Sequence, residues 1–432
     1  MRKVLFIAYL FPPIANSGTR RSLSFANHLP NFGWQPIVLT RQDPPSKVCD
    51  DTLLAEVRPG TRIERAPLFG TTIAAQLARL LPLPSWRKRV AEALEWRING
   101  ALQLPDEVIS WYPAAVKRGV ELHRELGFDV IYASGWPWSS FLIARAIGRR
   151  TGCPVILDYR DTWSPRGTEK WEKPTRGRAL TGPWLERLAA KDAAALITVT
   201  PTLVSAIKES SRTPAVHCIT NGYEPSDFVG TRAAPSPQVN GQIQIAYTGI
   251  WREDYGLHGL YQAIQRLKTQ GCADLARLRV RAAGFTPGPA QQMGVDDVVE
   301  EIGYVPHATA TSMMNEADLL YLSVPIGFYA NASLPGKLFE YMGSSSPILA
   351  VVPAESEVAR VLNDVGGAAR VDPGDVDAIV AILTGLFAGK GPSMFSSRDG
   401  ERLTRYTRAS TAGRLAEVLN AAHQGTPLEL AP

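Results

Sequence analysis

The sequence predicts an α/β protein of two domains, each a mainly parallel sheet wrapped by helices. Three observations predict this. The chain has 432 residues, too many for one typical core and enough for two of about 200 residues each. In both halves, apolar runs of strand length alternate with amphipathic stretches of helical period, as in repeated βα units. Residues 333–350 join a Pro-Gly-Lys helix start to a short apolar strand, an arrangement that suits an anion at a helix N-terminus.

Composition narrows the class. An apolar content of 45% and a charged content of 20% are those of a globular protein. The net charge of +5 and the pI near 9.0 fit an acidic ligand or an anionic membrane surface. No dense Lys/Arg stripe interleaved with aromatics and no nucleic-acid motif is present, so no nucleic-acid partner is expected. Cys49, Cys153, Cys218 and Cys272 are far apart, with no C-x-x-C pair; they read as reduced, buried thiols of a cytoplasmic protein. The apolar run 4–11 is short, Pro12 and Pro13 follow at once, and no small-residue cleavage site comes after, so a first strand explains it better than a signal peptide. No apolar run reaches the length of a membrane span.

In chain order, residues 4–9 read as the first strand, a loop carries Gly18, Arg20 and Arg21 into a helix at 20–30, and 35–40 is the second strand. Strand, glycine-bearing loop and helix start form a phosphate-binding arrangement, with Gly18 allowing close backbone approach. Residues 71–104 set Leu77, Leu80, Leu81, Val90, Leu94 and Ile98 at near-helical spacing among arginines, with Trp86 and Trp96. That is the chemistry of a peripheral membrane anchor, weighed against helices packing on the domain's own sheet. The strand 129–133 runs into Ser134, Gly135, Trp136 and Trp138 at the carboxyl edge of the sheet, where open α/β sheets bind ligands. The two indoles either stack on an acceptor or plug the core. The strand 154–157 delivers Asp158, Arg160 and Asp161, as polar acceptor-side groups or as a bracing ion pair. After the strand 216–220, Asn221-Gly222 is a turn.

The second half repeats the alternation, with strands at 243–247, 278–283, 298–304 and 317–322. Gly249 sits in the turn after the first of these, and Arg252 follows. In the stretch 333–342, Pro335 suits a helix's first position and Gly336 opens the backbone to a ligand. Lys337 adds charge, and Glu340 lies on the same face as Lys337, one turn deeper, where a carboxylate holds a diol such as ribose. Asp375, Val376 and Asp377 precede a helix at 378–386, so N-capping explains these aspartates better than a metal. No metal-ligand motif appears. The domains are read as 1–228 and 243–403, joined by the linker 229–242, with 404–432 packing back toward the first domain and fraying at its end.

These residues together resemble the retaining glycosyltransferases of the GT-B fold, family 4, of bacterial surface-polysaccharide type. The resemblance rests on P-x-K-x-x-E-Y-M at 335–342, with P-I-L-A at 347–350, and on Y-x-x-P-P-x-x-x-x-G-x-x-R at 9–21. It rests also on D-x-R-D-x-W at 158–163, on Asn221-Gly222 with Phe228, and on Gly303-Tyr304-Val305. It implies two Rossmann-like domains facing each other across a cleft. It also implies metal-independent transfer, without a cofactor, from a nucleoside-diphosphate sugar, a UDP-sugar first, to a hydroxyl of a glycan or lipid-linked oligosaccharide at the inner face of the membrane. Lys337 and Glu340 with Arg160 and Asp161 would form the catalytic set. Gly18, Gly249, Arg252, Tyr304, Val305, Ser333, Leu334, Pro335 and Gly336 would hold the donor, and Ser134, Gly135, Trp136 and Trp138 the acceptor. One departure stands out: the family's first glutamate, eight positions before Glu340, is Ala332 here, and Ser333 or nearby N–H groups would substitute. Rival readings are a GT-B sugar-nucleotide epimerase or hydrolase and a non-catalytic nucleotide-sugar-binding partner subunit.

Overall fold

Two separate sheets organise the chain in a computed structural model. It describes residues 1–42, 49–68, 104–163, 176–213, 215–228, 241–249, 256–284, 287–324, 327 and 331–428. Residues 71–103 of the basic stretch, 229–240 of the linker and Arg252 lie outside the described residues. The first unit comprises Met1–Thr220 and Thr411–Pro432, and the second Asn221–Ser410. Both are α/β with parallel sheets, as the alternation predicts.

In the first unit the strands are β1 (Arg2–Ile7), β2 (Trp34–Arg41), β3 (Arg62–Ala66), β4 (Val130–Gly135), β5 (Val155–Tyr159), β6 (Ala195–Thr198) and β7 (Val216–Cys218). They lie in the order β3-β2-β1-β4-β5-β6-β7, every pair parallel. The central strands are buried on both faces: Val4, Leu5, Phe6 and Ile7 have no exposed surface. This is why the run reads as continuous apolar sequence and not as an alternation. Asn16 caps the helix Ser17–His28, its side-chain oxygen accepting from Gly18 N at 2.9 Å, so the helix starts earlier than its apolar spacing suggests. The C-terminal helix Arg408–Gln424 joins this unit through Ala412, Leu415, Ala416, Val418 and Leu419, and Trp34 Nε1 donates to Asn420 Oδ1 at 2.9 Å.

In the second unit β8 (Ile243–Thr248), β9 (Leu278–Ala283), β10 (Val299–Gly303), β11 (Leu319–Ser323), β12 (Ile348–Val351) and β13 (Ala368–Val371) are ordered β10-β9-β8-β11-β12-β13. Residues 221–228, expected in the first domain, belong here, because Tyr223 and Phe228 bury their rings in this unit's core. Tyr223 N donates to Tyr406 O at 3.0 Å, and Arg408 N donates to Tyr223 O at 2.8 Å. The two segments that pass between units are therefore hydrogen-bonded to each other. Asp375 caps the helix Val376–Phe387, accepting from Ala378 N at 3.0 Å, as read from the sequence. The four cysteines form no disulfide with one another, but Cys49 is exposed and the other three are only half-buried, which corrects the expectation of buried thiols. Among the described residues no helix is long and apolar enough to cross a membrane.

One side chain fastens the end of the helix Gly336–Gly343. Arg398 donates to Met342 O at 3.1 Å, to Ser346 O at 2.9 Å and to Ser344 O. The last carbonyls of a helix lack intrahelical partners, and a cation there also meets the negative end of the dipole. Burial pulls the Arg398 pKa down to about 10, still high enough to keep the charge at neutral pH. Arg398→Met is expected to cost about 3 kcal/mol through orphaned carbonyls. Urea unfolding of the two proteins measures it.

Candidate active site

In the second unit, three glycine-ended strands meet at the carboxyl edge of the sheet. Gly249 follows β8, Gly284 follows β9 and Gly303 ends β10. Gly249 N donates to Ala283 O at 2.9 Å, and Gly284 N donates to Gly303 O at 2.6 Å. Gly249 has φ 151° and Gly284 φ 109°. A Cβ on Gly284 would fall 2.7 Å from Gly249 O, and one on Gly249 3.0 Å from Lys337 Nζ. Only glycine admits this approach of backbone to backbone and backbone to ammonium.

Lys337 extends beneath that turn, its Nζ 3.9 Å from the centre of the Tyr247 ring. The residue keeps part of its surface open, but the ammonium lies packed against the ring face and the Gly249 backbone. Burial pushes its pKa down to about 7, and among the described residues no carboxylate pairs with it. The helix it begins has Pro335 as its N-cap, with no side-chain cap. Proline thus sits one position earlier than the first helical turn expected for it; Leu338 N donates to Pro335 O at 3.0 Å, and the cap offers no side-chain acceptor to the N–H groups of Gly336 and Lys337. Gly336 is exposed, with no described residue within 4 Å of a Cβ built on it. Tyr341, buried, sets this helix under β8: its hydroxyl accepts from Thr248 N at 2.8 Å. An uncapped helix start beside an ammonium that no carboxylate pairs with among the described residues has the chemistry to take an anion.

Around it, Glu340 lies one turn on and accepts from His307 Nε2 at 3.2 Å. Tyr304 is 67% exposed and Val305 half-buried, both leaving the Gly303 turn. Ser333 is half-buried and Leu334 buried. Ala332 has no exposed surface, and the neighbouring Asn331 has a buried side-chain oxygen with no partner among the described residues. Sequence reasoning missed Tyr247, His307 and Asn331, since none sits in a local pattern with Lys337.

The first unit places its predicted residues differently. Gly18 faces Arg160: a Cβ there would fall 1.8 Å from Arg160 Nη1, so the open space by the loop is filled by a guanidinium. Arg160 donates from Nε to Gly135 O at 2.6 Å and from Nη2 to Trp136 O at 2.8 Å. It braces the β4 end through backbone and makes no salt bridge to Asp161, which is exposed. Arg21 is likewise committed, buried against Asp158 at 2.7 Å, while Arg20 pairs with Glu56. Ser134 is buried, its hydroxyl without a partner among the described residues. Gly135 is required by packing, since a Cβ would meet Phe141 at 2.7 Å. Trp138 is 8% exposed and stacks on Trp163 with ring centres 5.3 Å apart. Of the two readings left open for the indoles, Trp138 takes the core plug, and only Trp136 stays half-exposed.

Residues 18–222 match the family described as "Glycosyl transferase 4-like domain". No curated protein matches the chain. Solved structures resemble it along nearly its whole length. Sucrose-phosphate synthase from Thermosynechococcus elongatus aligns with a TM-score of 0.66 at 14% identity, covering 99% of this chain and 100% of that one. A glycosyltransferase from Rickettsia africae aligns with a TM-score of 0.63 at 11% identity, covering 98% of each chain. Anabaena HepE in complex with UDP aligns with a TM-score of 0.56 at 15% identity, covering 98% of each. At these identities the likeness shows the fold, the GT-B pair of Rossmann-like units. The domain match and the fold together support glycosyl transfer.

Proposed function

We propose that the protein is a retaining, metal-independent glycosyltransferase. It moves a sugar from a nucleoside-diphosphate donor, a UDP-sugar first, to a hydroxyl of a glycan or lipid-linked oligosaccharide in bacterial surface-polysaccharide synthesis. The observation that carries this is the uncapped start of the helix Gly336–Gly343 with Lys337 Nζ held over Tyr247 and, among the described residues, no carboxylate paired to it. Glycosyl transfer develops negative charge on the departing diphosphate, and preorganised donors placed there lower the barrier. Gly249, Ser333, Leu334, Pro335 and Gly336 form the walls of that diphosphate site, and Tyr304 and Val305 flank the base. Glu340 meets the ribose. The acceptor hydroxyl attacks from the face the diphosphate leaves, and the diphosphate takes its proton. Asp161, exposed at the end of β5, and Trp136 are the acceptor-side groups. A donor preference for UDP draws on the UDP complex of Anabaena HepE.

A second reading has its own observation. Ala332, buried where the resemblance calls for a glutamate, favours nucleotide-sugar binding without transfer, as in a partner subunit. Calorimetry with UDP, GDP and dTDP tests the site, and acceptor-dependent turnover separates the readings. Selective binding of one nucleotide, with sugar transfer to an added acceptor, is the expected result. Absence of binding by all three nucleotides overturns the donor site, while binding without turnover selects the second reading.

A further inference from the structure

We infer that His307 is a positioning residue of the donor site, holding the Glu340 carboxylate away from Lys337 so that the ammonium stays available to a diphosphate. The inference rests on the donor-site reading above and adds to it a residue that no local motif marks.

Two carboxylates from two elements converge on the imidazole, and an arginine from a third stands beside one of them. His307 opens the helix His307–Glu316, immediately after the Gly303 turn. Its Nε2 lies 3.2 Å from Glu340 Oε1 and 3.9 Å from Asp227 Oδ2. Asp227 comes from the short helical turn Pro225–Phe228, and Arg408 Nη1 stands 4.0 Å from the same Asp227 oxygen. The side chains are mostly shielded, His307 at 19% exposure and Glu340 at 18%. An Nε2–H therefore donates to Glu340, with the Asp227 carboxylate farther from the same nitrogen and Arg408 beside Asp227.

The need for such a tether follows from helix geometry. Lys337 and Glu340 are three positions apart, a spacing at which oppositely charged side chains pair readily. No such pair forms here. The Lys337 ammonium is on Tyr247, and the Glu340 carboxylate is on His307. Were Glu340 released, its carboxylate would neutralise Lys337 internally. An incoming diphosphate would then have to displace a counter-ion that is permanently at hand, and its affinity would fall. Anchoring one carboxylate oxygen also removes rotamer freedom that ribose binding would otherwise have to remove.

UDP binding by calorimetry tests the tether, on wild type, His307→Ala, His307→Gln, Glu340→Ala and the double variant His307→Ala/Glu340→Ala. Thermal melts confirm folding. His307→Ala is expected to weaken UDP binding about fivefold to tenfold. His307→Gln, whose amide N–H can still donate, should recover most of the loss. In the Glu340→Ala background, His307→Ala should add nothing, because there is no carboxylate left to hold. Wild-type affinity in His307→Ala together with weakened binding in Glu340→Ala would overturn the tether and leave the donor site standing. Independent, additive losses, or no recovery in His307→Gln, would also overturn it. If wild type binds no nucleotide, the donor-site reading itself falls and the tether with it.

Discussion

Lys337→Met is expected to weaken UDP binding about thirtyfold, ~2 kcal/mol, while raising the melting temperature of the ligand-free protein. The opposite signs come from one cause. In the free protein the ammonium is packed against Tyr247 and the Gly249 backbone, and burial pushes its pKa down to about 7. The unfolded chain holds the same proton with a pKa near that of free lysine, roughly 10.4. The unfolded state therefore binds more protons between these values. Stability is greatest above the unfolded pKa, declines as pH falls from there toward 7, and levels off once both states are protonated. Methionine removes that penalty at neutral pH. A bound diphosphate reverses the balance, because it supplies the counter-charge the fold withholds. Binding above pH 7 should then draw a proton from solution, and affinity should fall about tenfold per pH unit. Calorimetry in buffers of different ionisation enthalpy reads the proton uptake directly. In Lys337→Met both the uptake and the slope should vanish. A pH-independent wild type would mean that the ammonium does not meet the diphosphate.

The reach of sequence reasoning divides along the same physical line. Alternating strands and helices were legible because each element carries its own period. Val4 to Ile7 is a fully buried parallel strand, and its run of apolar residues says so without help from elsewhere. Caps were legible too, since Asp375 lies three residues from the N–H it accepts. The helix start at Pro335 and Lys337 was visible as a local motif. What the motif did not contain was its surroundings. His307 is 33 positions from Glu340, and Tyr247 is a strand residue that looks like any other buried aromatic. Gly18 shows the converse failure. A glycine loop between strand and helix is the local pattern of a phosphate cradle, but a distant arginine, Arg160, fills the space a ligand would have used. The boundary between units failed for a similar reason. Tyr223 and Phe228 are apolar in either domain, and only packing decides which core takes them.

Asp158→Asn is expected to destabilise the first unit by about 3–5 kcal/mol, the largest stability change predicted here. Asp158 has no exposed surface and Arg21 is 5% exposed. The carboxylate accepts from Arg21 Nε at 2.7 Å and Nη2 at 2.9 Å, and from the Tyr132 hydroxyl. Arg21 in turn donates to Thr220 O and Ile219 O, both at 2.9 Å, so one guanidinium joins the first helix, the end of β5 and the last residues before the chain leaves this unit. An asparagine keeps the shape and removes the charge, stranding a buried cation that cannot neutralise itself, since arginine stays protonated at any working pH. Removing both charges is a different matter: buried pairs cost desolvation, and Arg21→Met with Asp158→Leu should recover much of the loss. Urea unfolding of the two single variants and the double variant measures this coupling. The proposed donor residues lie at 249–340, in the second unit. As the first unit unfolds, Asp158→Asn should therefore still bind UDP while losing sugar transfer, because Arg160 and Asp161 belong to the unit that unfolds. Equal loss of both functions would mean that the two units do not fold as separable bodies.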